Sequence, residues 1–136
     1  MIVVVDSDGI IGNLIPQDQH HKISQQILSK LIKKQAKLIY PATVIVETVT
    51  FLQGRLNQPK LAAQLLQQVI DNQITIESVD GEIIQKASSF MDFEGSKHNT
   101  LFDAIVATVA EENKADAIFS FDKFYKGKGF KLASEL

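Results

Sequence analysis

Apolar and polar positions fall into blocks whose spacing changes along the chain. Residues 2–5, IVVV, are continuous, β-branched and apolar. A strand covered on both faces needs such a run. Residues 9–14 make one short helical turn, stopped by Pro16. Over 20–36, Ile23, Ile27, Leu28, Leu31 and Ile32 recur at helical spacing, with lysines and glutamines opposite. That is an amphipathic helix. LIY at 38–40 is a short buried strand closed by Pro41. Residues 42–52, ATVIVETVTFL, point both ways. Threonine and valine favour a strand, whereas Pro41 suits the start of a helix.

Pro59 opens a clearer helix, with Leu61, Leu65, Leu66, Val69 and Ile70 on one side. ITIESV at 74–79 alternates and reads as a strand. Asp80 caps a helix predicted to run to about Phe93. A polar loop follows at 95–99, then a helix over 101–113 capped by Thr100, and a strand over 116–121. Residues 122–129 form a lysine- and glycine-rich loop, and 130–133 a last edge strand. Strands and helices alternate throughout, which predicts a three-layer α/β/α sandwich with a central parallel sheet. With no repeat, linker or low-complexity tract, residues 1–136 are expected to be a single domain.

Composition narrows the function classes. There is no cysteine, so disulfides and thiolate metal sites are excluded. His20, His21 and His98 have no zinc-type spacing and are expected at the surface. The first apolar run is broken by Asp6 and has no basic segment before it. Neither a signal peptide nor a membrane span is expected, and the expectation is a soluble cytoplasmic protein. The net charge of −2 is not that of a DNA-coating protein. Lysines do gather at Lys30, Lys33, Lys34 and Lys37, and again at Lys123, Lys126, Lys128 and Lys131. Both clusters read as solvated faces. The second also lies beside an acid, Asp122.

The acids carry the candidate chemistry. Asp6 directly follows the first strand and should stand at the sheet's carboxyl edge, where open α/β sheets bind ligands. Its plain alternative is a helix cap, a role that Asp8, nearer Gly9, suits better. Glu47 sits in an apolar segment. Its neighbours are Thr43, Val44, Thr50 and Phe51 on a helix, or Ile45 and Val49 on a strand. Without a local cation, such a carboxylate takes up a proton or borrows a charge from elsewhere. Asp103 stands three residues after Thr100, as in a capping box. Asp122 follows the strand AIFSF, with Ser120 two residues before it, and is also a plausible turn aspartate. Gathered together, these acids would repel: two charges about 4 Å apart cost roughly 4 kcal/mol at an effective dielectric near 20. Shared protons or a divalent cation relieve this. Oxygen ligands without His or Cys select Mg²⁺ or Mn²⁺, which activate water and hold phosphate oxygens.

Four stretches, VVVDSDGII, YPATVIVET, TLFDAIVATVAEENKAD and AIFSFDKFY, resemble those of PIN-domain ribonucleases. In size and layout the chain is similar to the VapC-type toxins of type II toxin–antitoxin pairs. The resemblance spans nearly the whole chain. It implies a hydrolase that cleaves single-stranded RNA by a metal-activated water. Asp6, Glu47, Asp103 and Asp122 would bind Mg²⁺ or Mn²⁺, with Asp6 and Asp103 as main ligands and Ser120 in support. It also implies an antitoxin partner, a homodimer, and a helix at 42–52. The third position of the first motif departs from the family, which places a small polar residue where this chain has Asp8. That extra carboxylate either supports the site or caps the helix.

Two other readings compete. Asp6-Ser7-Asp8-Gly9 after an apolar strand also resembles the first motif of haloacid dehalogenase-like phosphatases, with Asp6 as nucleophile and Asp8 as general acid. That family needs a late acidic pair, which this chain lacks, and it leaves Glu47 and Asp103 unused. The other alternative is a non-catalytic PIN module that binds RNA or a partner.

Overall fold

The computed structural model describes residues 1–136. Four strands, β1 (Ile2–Val5), β2 (Lys37–Pro41), β3 (Thr75–Glu77) and β4 (Ala117–Phe119), form one sheet in the order β3-β2-β1-β4. Every pairing is parallel, with Val4 opposite Ile39 on one side and Ile118 on the other. Val3, Val4 and Val5 are buried, as their unbroken apolar run requires.

Seven α-helices connect and cover the strands: α1 (Ser7–Leu14), α2 (His21–Lys33), α3 (Ala42–Gln53), α4 (Pro59–Ile70), α5 (Gly81–Ala87), α6 (Leu101–Glu112) and α7 (Phe124–Gly127). The predicted three-layer arrangement is the observed one. The middle of α6, Ala104 through Ala110, is buried on all sides, while Leu101, Phe102, Glu111 and Glu112 at its ends are exposed. Its small side chains let the neighbouring elements approach closely.

The ambiguous 42–52 segment is helical. Val44, Ile45, Thr48 and Leu52 are its buried residues, a helical spacing that outweighs β-propensity. β3 and β4 are each shorter than expected by one residue at the start and two at the end, and three larger features differ from expectation. The helix after Asp80 ends at Ala87 and continues as a 3-10 turn only to Phe90. The expected edge strand at 130–133 shrinks to one parallel bridge, Leu132 to Ile118, because the chain turns into a 3-10 helix at Ala133. The lysine- and glycine-rich loop contains α7, whose Tyr125 is fully buried.

The strand order creates a switch point. From β1 the chain steps outward to β2 and β3, then crosses back to place β4 on the far side of β1. Connections therefore leave the carboxyl ends of β1 and β4 in opposite directions, opening the crevice where such sheets bind ligands. Asp6 extends the ladder there, its amide donating to the Phe119 carbonyl at 3.1 Å. Gly9 brings α1 close over the same point: a Cβ on it would stand 2.7 Å from the Phe119 carbonyl oxygen.

Candidate active site

All six sequence-predicted residues meet at this crevice. Asp6 is the N-cap of α1, its Oδ1 accepting from the Ser7 amide at 2.7 Å. The capping role expected of Asp8 thus falls to Asp6, the residue with extended backbone just before the helix. Asp6 Oδ2 accepts from the Tyr125 hydroxyl at 2.7 Å and lies 3.1 Å from the Ser120 hydroxyl. Asp8 Oδ2 accepts from the Phe121 amide at 2.8 Å and lies 3.0 Å from the same Ser120 hydroxyl. Ser120 in turn accepts from the Asp122 amide at 3.1 Å.

Asp103 Oδ2 accepts from the Thr100 amide at 2.8 Å, the capping-box bond. Its other oxygen stands 3.5 Å from the Tyr125 hydroxyl. Asp122 Oδ1 accepts from the Phe124 amide at 2.8 Å, and Oδ2 from the Asn99 side-chain amide at 2.9 Å. Glu47 comes from α3 and lines a cleft of about 470 Å³ together with Asp8, Ser7, His20 and Phe51. A separate cavity of about 320 Å³, floored by Val5, Leu65 and Phe119, has no acid in its lining.

Asp6, Asp8, Glu47 and Asp103 hold their protons more tightly than usual. Burial pushes Asp6 up from 3.8 to about 8, the Asp8 charge adds to it, and the Tyr125 and Ser7 bonds oppose it. Burial also raises Asp8, against the Phe121 and Ser120 bonds. Glu47 is raised by burial, pulled back by the Ser7 hydroxyl, and raised again by Asp103 and Asp8. Asp103 is raised chiefly by burial, with Asp122 adding to it. Burial and then the Asp6 charge hold the Tyr125 phenol well above 10, so it stays a proton donor.

A hard divalent cation suits this donor set. All the donors are oxygens. Asp8 Oδ1 is buried without a hydrogen-bond partner. No lysine or arginine pairs with any of these acids; the ion pairs join Lys86 to Glu82 and Glu112, and Lys126 to Glu135. No three carboxylates close into a ready ligand shell, since the Ser120 and Tyr125 hydroxyls bridge them. Mg²⁺ keeps several waters and needs only one or two carboxylates, so an open set fits it.

Three contributors escaped the sequence reading. Tyr125 links Asp6 to Asp103, Asn99 holds Asp122, and the Ser7 hydroxyl favours the ionised form of Glu47. The aromatic spacing 121, 124, 125 was the available signal for Tyr125, because it marks a helical turn inside the supposed loop. The histidines differ from expectation as well. His21 Nδ1 bonds the Gly12 carbonyl oxygen at 2.9 Å, and His20 stacks on Phe121 at 4.1 Å, so both are half-buried; only His98 is exposed.

The all-parallel sheet with its switch point places the chain in the doubly wound α/β class, which binds ligands at that crevice. Within it, this chain belongs to the PIN domain family, whose model matches residues 3–131. PIN domains are nucleases and generally use divalent metal ions. Membership decides against the phosphatase reading of Asp6 and Asp8. Among solved structures, Mycobacterium tuberculosis VapC20, described as a Sarcin-Ricin loop cleaving toxin, superposes with a TM-score of 0.79 at 16% identity, over 94% of this chain and 95% of that one. FitAcB from Neisseria gonorrhoeae superposes with a TM-score of 0.70 at 17% identity, over 96% and 95%. At these identities the likeness speaks for the fold. No curated protein sequence matches the chain. No helix is long and apolar enough to cross a membrane.

Proposed function

We propose that residues 1–136 act as one PIN-like ribonuclease domain that hydrolyses single-stranded RNA with Mg²⁺ or Mn²⁺. The observation that carries this is the gathering of Asp6, Asp8, Glu47, Asp103 and Asp122 at the switch point without a cationic partner. Asp6 and Asp103 are the main metal ligands in this reading. Glu47 and Asp122 complete the set and orient the attacking water. Ser120 and Tyr125 position Asp6, and Asp8 supplies a further oxygen. The bound ion would lower the pKa of that water and neutralise phosphate charge. In that hydrolysis the water oxygen would bond to phosphorus as one phosphodiester P–O bond breaks, and the leaving oxygen would take up the proton that the water gives up.

A toxin role with an antitoxin partner fits the likeness to VapC20. A homodimer belongs to the same reading, by the family resemblance alone. The test is cleavage of a mixed-sequence single-stranded RNA with Mn²⁺, Mg²⁺ or EDTA. Wild type cleaves only with metal, and Asp6→Asn and Asp103→Asn do not. Metal-dependent cleavage that survives Asp103→Asn sinks the acidic site. RNA bound but left intact by wild type in both metals favours the binding module instead. Growth arrest on expression, absent from Asp103→Asn, tests the toxin role, and sedimentation tests the dimer.

A further inference from the structure

We propose that the cleft beside the acids is a nucleobase pocket, walled by Phe51 and His20, that holds one base next to the scissile phosphate; this rests on the ribonuclease reading. Asp8 and Glu47 line the same cleft, so it adjoins the acidic site directly. At about 470 Å³ it lies within the range of small-ligand pockets, roughly 300–1,000 Å³. No lysine or arginine lines it, whereas Asp8, Asp18 and Glu47 do. A phosphate is repelled by such walls. The uncharged part of an RNA strand is the base, and its flat face seeks aromatic side chains.

Both walls are prepared for stacking. Phe51 follows Glu47 by four residues on α3, so the two share one helical face. Arg55 follows four residues later, just past the helix end, with its guanidinium 5.9 Å from the Phe51 ring centroid. An acid, an aromatic ring and a cation thus succeed one another along one edge. That order matches metal site, base and neighbouring backbone phosphate. His20, which lines the same cleft, is held flat on Phe121, with the rings 9° from parallel. The Phe121 amide is tied to Asp8, and the His20 amide to Asp18 Oδ1 at 2.8 Å. The second wall is therefore fixed to the acidic site before any ligand arrives.

The chain has no tryptophan, so Phe51→Trp installs a single fluorescent reporter. It is placed in the full chain carrying Asp103→Asn and titrated, with Mg²⁺, with a short single-stranded RNA and with an abasic ribose-phosphate oligomer of equal length. The RNA quenches the tryptophan, and the abasic oligomer binds at least tenfold more weakly. In the Asp103→Asn background without the reporter, Phe51→Ala weakens RNA binding by about 5- to 100-fold, the size of one lost stacking contact, while Phe51→Tyr retains it. With Asp103 intact, Phe51→Ala raises KM and leaves kcat nearly unchanged. Equal binding of both oligomers, or unaltered binding by Phe51→Ala in a chain whose wild type still cleaves RNA, overturns the pocket and leaves the nuclease standing. Quenching by RNA alone, with no cleavage by wild type in any metal, keeps the pocket and removes the nuclease. No quenching by the RNA, in a chain whose wild type still cleaves RNA, likewise overturns the proposal.

Discussion

Replacing Asp6 with Asn tests the electrostatics of the site. Asp6 is only 5% exposed, and the pKa of its carboxyl is raised from 3.8 to about 8. A group raised in this way binds a proton on folding between its unfolded and folded values. Its stabilising contribution is complete below the unfolded value and is lost as pH rises through the folded one. Each pH unit in that window removes up to about 1.4 kcal/mol from the metal-free protein, for a ceiling of about 6 kcal/mol. Asp6 shares its charge with Asp8 and Asp103, and buried charges relax their surroundings, so roughly 2–3 kcal/mol is the expected size.

Asparagine keeps the useful bonds. Its oxygen can still accept from the Ser7 amide, and its amide faces the Tyr125 and Ser120 hydroxyls, both able to accept. Only the ionisable proton is lost. In EDTA at pH 8, Asp6→Asn should therefore melt above wild type, by roughly 5–12 °C for a domain of this size. The gap should close as pH falls below the unfolded value of 3.8, where the wild-type carboxyl becomes protonated in both states. Thermal unfolding followed by circular dichroism at several pH values reads this directly. Adding Mg²⁺ should raise the wild-type melting temperature and leave the variant almost unmoved. A variant no more stable than wild type at pH 8, with a difference independent of pH, would show that Asp6 is ionised without penalty and refute the reasoning.

Asp6→Asn with Asp8→Asn should gain less than the two singles added together, by about 0.5–2 kcal/mol in urea unfolding at pH 8, because each relieves the same repulsion. Full additivity would mean that the two charges do not interact. Tyr125→Phe removes the donor at 2.7 Å from Asp6 and should cost about 1–3 kcal/mol in the same measurement; an unchanged midpoint would deny the hydroxyl any hold on the acids. Calorimetric Mg²⁺ titration at pH 7 in buffers of different ionisation enthalpy should show about one proton released per ion, since the ion displaces a proton from raised carboxylates. No release would mean that the ligands are already ionised. Gly12→Ala places a Cβ 2.3 Å from the Ser24 hydroxyl oxygen and should destabilise by about 1–3 kcal/mol. Ser24→Ala, which removes a buried hydroxyl that has no partner, should recover most of that loss in the double variant.

The layers of the fold were legible because the period of the apolar pattern changes wherever an element changes. Periodicity alone did not decide residues 42–52, where Thr43, Val44 and Val49 carry strand propensity into a helix packed on its neighbours. It also could not show that Leu132 makes a single bridge, since a four-residue apolar run has the same composition either way. Tyr125 was hidden for a related reason. Lysine and glycine on either side of it look like loop, and only the folded chain turns the ring beneath Asp6.

For the acids, the plain and the functional explanations proved compatible. Asp6 caps α1 with one oxygen and meets Tyr125 with the other. Asp103 closes its capping bond with one oxygen and faces the same hydroxyl with the second. Asp122 makes a turn bond to Phe124 with one oxygen and holds Asn99 with the other. A local backbone bond fixes the orientation of each carboxylate, so the second oxygen is aimed without further cost in side-chain freedom. Weighing cap against ligand, residue by residue, therefore sets up a false choice, because capping is how these acids are aimed. Asp8 breaks the rule. It spends one oxygen on Phe121 and Ser120 and leaves the other buried and unpartnered. That single unanswered oxygen, at the position where the chain departs from its family's pattern, is where the site has the most to gain from a cation.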